Sequence, residues 1–149
     1  MRGRYACTIW TVAAVAFTAC GRGTAIDTLI TFDGERRTIT TANVTCTRQP
    51  DESLVVLVVE KTARTVRIHL SQRGHIAVLK AGFRYDELSG FVGDPEQMTG
   101  SKVDDNFTVR GRMPPADGER DWHSFTIETS CPSYRNAVPA DTVPNIGSP

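Results

Sequence analysis

Leu54-Val55-Val56-Leu57-Val58-Val59, followed shortly by Thr65-Val66-Arg67-Ile68-His69-Leu70, decides how the chain is read. The first run is continuous Leu and Val, the pattern of a strand buried on both faces or set at the centre of a sandwich. The second alternates Val66, Ile68 and Leu70 with Arg67 and His69, giving one apolar and one wetted face at the two-residue period of a strand. Two neighbouring strands of this kind need a layered β fold around them.

The same signal continues in both directions. Upstream, Ile26 to Phe32 is followed by Asp33-Gly34, a hairpin pair, and by Glu35 to Thr40. Val44 to Arg48 alternates and stops at Gln49-Pro50-Asp51. Downstream, Arg73-Gly74 turns into His75 to Lys80, with Ile76 and Val78 expected inside. Phe83 to Val92 is less regular and glycine-containing, which predicts one bent or bulged strand. Met98 to Val103 leads through Asp104-Asp105-Asn106 into an alternation of Phe107, Val109 and Gly111 with Thr108, Arg110 and Arg112. After the Pro114-Pro115-Ala116-Asp117-Gly118 loop, Trp122 to Cys131 forms the last strand, with Trp122 expected to anchor the end of the core. Turn signals recur about every 8 to 12 residues without a helical period, which predicts an all-β domain, a small antiparallel sandwich or barrel-like fold, over residues 26–131. Residues 132–149 hold several prolines and few large apolar groups and are expected to be a disordered tail.

The chain of 149 residues suits one domain plus processing segments. Its formal net charge of +0 supplies no basic field for nucleic acid. The apolar residues at the front are bunched: Arg2 and Arg4 precede an uncharged run from Ala6 to Phe17. A basic start with a short apolar stretch is the layout of a signal peptide, and the run falls short of the about 20 apolar residues that span a bilayer. It ends in Phe17-Thr18-Ala19-Cys20-Gly21. Small residues just before a cysteine resemble the lipobox of bacterial lipoproteins, in which that cysteine's sulfur takes a diacylglyceryl group and the peptide is cut before it. Phe17 departs from the aliphatic residue favoured there. The segments expected are a signal peptide over 1–19, a lipidated Cys20 with a short linker over 20–25, and then the β domain.

The four cysteines sort accordingly. Cys7 leaves with the signal, Cys20 carries lipid, and Cys46 and Cys131 remain as an even pair in an oxidising compartment, where a disulfide is expected. A metal site needs thiolates or imidazoles at tighter spacing than His69, His75 and His123 provide, so no metal and no cofactor is expected.

Four segments in order resemble the mycobacterial 19 kDa lipoprotein antigen family: Phe32-Asp33-Gly34 to Thr40, Val44-Thr45-Cys46-Thr47, Met98 to Arg112 with its Asp104-Asp105-Asn106 turn, and Ser124-Phe125-Thr126-Ile127-Glu128-Thr129-Ser130-Cys131. The likeness covers roughly Ile26 to Cys131 plus the lipidated N-terminus. It implies a membrane-anchored, surface-exposed antigen, with host innate receptors engaged through the acyl chains on Cys20. The family's best-known member carries a long Thr/Ser/Gly-rich linker after the cysteine, which is almost absent here.

Catalytic candidates are few. His69 falls on the wetted side of its strand and His75 follows a turn glycine. Asp104, Asp105 and Asp117 occupy turns, which suits their side chains. His123 adjoins Trp122 and is read as part of a binding edge, set against the expectation that Trp122 anchors the end of the core. Neither a phosphate-cradling loop nor a nucleophile elbow is present. A non-enzymatic envelope lipoprotein is expected. The alternative is a lipid or glycolipid carrier, with Leu54 to Val59, Phe83, Phe91, Phe107 and Phe125 lining a cavity between the sheets; the favoured reading has the same side chains filling an ordinary core.

Overall fold

The structure is a computed structural model that describes residues 23–137. The expected signal peptide, Cys20 and residues 138–149 of the expected tail lie outside the described residues.

The strands in chain order are β1 (Ile26–Phe32), β2 (Glu35–Thr41), β3 (Val44–Arg48), β4 (Ser53–Lys61), β5 (Arg64–Ser71), β6 (Ala77–Tyr85), β7 (Leu88–Val92), β8 (Met98–Val103), β9 (Asn106–Met113), β10 (His123–Ser130) and β11 (Tyr134–Asn136). They form a five-stranded sheet in the order β2-β1-β10-β9-β8 and a six-stranded sheet in the order β11-β3-β4-β5-β6-β7. The two sheets pack around one core, so the fold is an all-β sandwich, antiparallel except where β11 pairs with β3. Asp33 (φ 49°) and Gly34 (φ 84°) both take the left-handed conformation that a two-residue hairpin turn requires between β1 and β2.

The deciding stretch resolves to the sandwich centre. In β4, Leu54, Val56 and Val58 are fully buried, whereas Leu57 is 39% exposed. The strand is therefore buried on one face, and its second apolar row is a feature of the outer surface. Inside, β5 contributes Val66, Ile68 and Leu70.

Three expectations need correction. Phe83 to Val92 is not one bent strand: β6 runs on to Tyr85, Asp86 enters the left-handed region (φ 55°), and β7 returns as a hairpin. Asp86-Glu87 lacks the glycine that would have announced this turn. A bulge in β6 pairs His69 with Lys80 but Leu70 with Val78, so Val78 and Ala81 both face inward despite their odd spacing. Trp122 does not close the core, being 46% exposed, with the Arg112 guanidinium 5.4 Å from its ring centre. Phe32 takes that place, edge-on to Phe83 at 5.3 Å and stacked on His123 at 4.9 Å.

The third correction is the boundary at Cys131. Cys46 in β3 and Cys131 just after β10 form the expected disulfide, both buried, with Cα atoms 5.9 Å apart. The bridge joins the two sheets. It also sets the following residues beside β3, where Tyr134 pairs in register with Cys46 as a parallel edge strand. Tyr134 Oη donates to Asp105 at 2.8 Å, Arg48 lies over its ring at 4.5 Å, and Ala137 N–H donates to the Arg48 carbonyl at 2.8 Å. These contacts order residues that composition alone assigns to a tail.

Candidate functional site

The outer face of the six-stranded sheet is built from the residues that the two-residue period turns away from the core. Register aligns them into three rows: Thr47, Val55, His69 and Lys80; Thr45, Leu57, Arg67, Gly82 and Phe91; and Val59, Thr65, Arg84 and Ser89. None of these side chains is a carboxylate. Cations and apolar groups thus alternate across one surface of a chain with no net charge.

A cleft of about 440 Å³ opens on this face, lined by Arg67, His69, Lys80, Gly82 and Phe91. A second, of about 420 Å³, shares Arg67, Gly82 and Phe91 and extends to Arg84 and Ser89. A third, of about 400 Å³, shares Arg67 and His69 and reaches Asp51 and Ser53. Arg67 lines all three, so they form one shallow groove centred on it. Gly82 makes its floor: a Cβ there would meet the Phe91 ring at 3.1 Å, so the missing side chain lets that ring lie across the strand. Phe91 remains 60% exposed.

At the groove's end, Ser53 meets both a histidine and a carboxylate. His69 Nε2 lies 2.9 Å from Ser53 Oγ, and Asp51 Oδ1 accepts the Ser53 N–H at 3.0 Å. Hydrogen bonding from Ser53 holds the Asp51 carboxyl below the usual carboxylate range. Both partners converge on a buried serine, so Asp51 does not orient the imidazole as the acid of a hydrolytic triad must. The arrangement fixes the start of β4 and holds the His69 ring at the groove.

His123 forms a separate cluster. Its Nδ1 lies 2.6 Å from Asp33 Oδ2, and its Nε2 lies 2.7 Å from Glu119 Oε2. Asp33 also accepts the Ser124 N–H at 2.8 Å, and Glu119 accepts the Ala116 N–H at 3.0 Å. Hydrogen bonds to Asp33 and then Glu119 raise the His123 pKa above its ordinary 6.5 against the opposing effect of burial, while the same contacts lower both carboxyls. When protonated, the imidazole donates from both ring nitrogens and clasps the β1–β2 turn to the loop before β10, and in that form it has no lone pair with which to act as a base.

Of the residues singled out by sequence, Cys46 and Cys131 meet in the disulfide, and Cys20 lies outside the described residues. The three histidines are dispersed over β5, the loop before β6 and the start of β10. Among the described residues, no group of three or more His, Cys, Asp or Glu is arranged to hold a metal ion. Phe83, Phe107 and Phe125 are buried in the core, whereas Phe91 sits outside it. At two inward-facing glycines the packing is close: a Cβ at Gly90 would collide with the Met113 sulfur, and one at Gly100 would meet Val78 Cγ2 at 2.8 Å. The sequence held a signal for the groove, since Arg67 and His69 fall on the wetted side of an alternating strand. It held none for the register that sets Lys80, Gly82 and Phe91 beside them. The carboxylates of the His123 clasp are distant in sequence or in a loop and carried no pattern.

No family model and no curated protein sequence matches the chain. Among the described residues, no helix is long and apolar enough to cross a membrane.

Proposed function

We propose that the protein is a lipid-anchored envelope lipoprotein that presents a small β domain outside the cytoplasmic membrane and works by binding, not by catalysis. The observation that carries this reading is the uncharged run Ala6 to Phe17 after Arg2 and Arg4, ending in Thr18-Ala19-Cys20. The buried Cys46–Cys131 bridge supports it, because structural disulfides persist in oxidising, extracytoplasmic compartments. With Cys20 as the anchor, the chain from there to Ile26 spans at most about 20 Å, which holds the domain close to the membrane.

Replacing Cys20 tests the reading directly. Cys20→Ala is expected to abolish acylation and move the protein from the membrane to the soluble fraction. An unchanged mass with continued membrane retention would overturn it. The family resemblance adds that host innate receptors respond to the acyl chains. An unacylated Cys20→Ala protein is then silent in a receptor reporter assay, and activity equal to the acylated form would refute that part.

A further inference from the structure

We propose that the groove centred on Arg67 is a headgroup site for an anionic phospholipid. Arg67 would hold the phosphate between Lys80 and Arg84, and Phe91 and Leu57 would lie against the apolar part of the molecule.

At the neighbouring end of the same sheet, Arg64 and Lys61 both reach Asp86, and Arg73 beyond β5 reaches Glu52. Arg67, Lys80 and Arg84 make no ion pair among the described residues, although all three line the groove. Register puts Arg67 opposite Gly82, so Lys80 and Arg84 are its two diagonal neighbours on β6. Long side chains reach one another across that diagonal, and like charges so placed repel. A bound anion relieves the repulsion, and the planar guanidinium fork of arginine matches a phosphate.

Leu57 and Phe91 share the Arg67 row, and they are two of the large hydrophobic side chains the fold leaves exposed, at 39% and 60%. A free inorganic anion has no use for such a border, whereas an amphiphile buries it. Asp51 marks where the anionic ligand must end, since its carboxylate closes the groove beside His69. The choice of a phospholipid over other amphiphilic anions rests on the envelope reading above.

The test uses the full-length chain carrying Cys20→Ala in a non-ionic detergent. It is titrated with dihexanoyl phosphatidylglycerol, dihexanoyl phosphatidylcholine or inorganic phosphate, and the amide resonances of Gly82 and Phe91 are followed. Saturable shifts with phosphatidylglycerol are expected, weakened about tenfold or more by Arg67→Ala with Lys80→Ala. Arg36→Ala, on the other sheet, should change nothing. Phe91→Ser should weaken the lipid and leave inorganic phosphate unaffected. Equal binding of phosphatidylcholine, or full binding by the double variant, would overturn the site. Inorganic phosphate binding as tightly as the lipid would overturn the lipid as its ligand. Because the anchor is absent from this protein, a negative result leaves the lipoprotein reading to the fractionation experiment.

Discussion

His123 and Asp33 tie the start of β10 to the turn that follows its neighbour β1: Nδ1 of the imidazole sits 2.6 Å from the Asp33 carboxylate. Glu119 completes the clasp from the other ring nitrogen. Stability is therefore tied to pH in two directions. The raised His123 pKa contributes fully below about 6.5 and is lost as pH rises through the folded-state value. The lowered Asp33 and Glu119 values contribute above the ordinary carboxyl range and are lost as pH falls through their folded-state values. A melting temperature highest between about pH 5 and 6.5 is expected. His123→Gln should flatten its decline toward pH 8. A decline as steep in the variant as in the parent would show that the clasp does not couple to folding.

The disulfide is expected to carry a large share of stability. Cys46 and Cys131 are 85 residues apart, and closing a loop of that size removes roughly 4 to 5 kcal/mol of unfolded-state entropy in the chain-entropy model. Replacing both by serine should cost about 2 to 5 kcal/mol. Thermal melts with and without reductant check this, together with a thiol count on denatured protein. A melting point indifferent to reductant would be the contrary result.

Tyr134 reports on the segment beyond the disulfide. Burial and then its hydrogen bond to Asp105 push the phenol up to about 12. Ultraviolet titration should show one tyrosine ionising near that value and lose it in Tyr134→Phe. The contribution is present below about pH 10 and is lost as pH rises through the folded value. Tyr134→Ala also removes the ring under Arg48, a contact of roughly 0.5 to 1 kcal/mol at a surface. Titration of every tyrosine near 10 would mean that β11 is not docked on β3.

How far the sequence could be read depended on whether the deciding interaction was local. The Asp33-Gly34 hairpin, the alternation of β5 and the bounds of β3 are set by neighbours in the chain, and they were legible. β11 was not, because Tyr134-Arg135-Asn136 has no strand pattern of its own and is held by β3, Asp105 and the disulfide. Of the two readings of the Leu54 to Val59 run, the sandwich centre held and burial on both faces did not. Apolar residues on both faces imply burial on both only if a second layer covers the outer face, and here Leu57 is left exposed beside Arg67 instead. The core candidates Phe83, Phe107 and Phe125 held, while Phe91 was turned outward by a hairpin that left no glycine signal. Of the groove, the wetted side of β5 was visible, and its partners on β6 and β7 waited on register.

Thr28 and Thr129 provide the sharpest test of the packing between β1 and β10. Both side chains are buried, at 0% and 3% exposure, and their hydroxyls lie 2.8 Å apart, each the other's partner. Removing one hydroxyl leaves the other buried and unsatisfied, which costs about 1 to 3 kcal/mol. Removing both by near-isosteric valines replaces a polar contact with an apolar one of the same shape, which is nearly neutral. Thr28→Val and Thr129→Val should therefore each destabilise, and the double variant should recover most of the loss. Denaturant unfolding of the four proteins gives the coupling energy from the cycle. Additive losses in the double variant would mean that the two hydroxyls do not satisfy one another, and that the register of β1 against β10 differs from the one described.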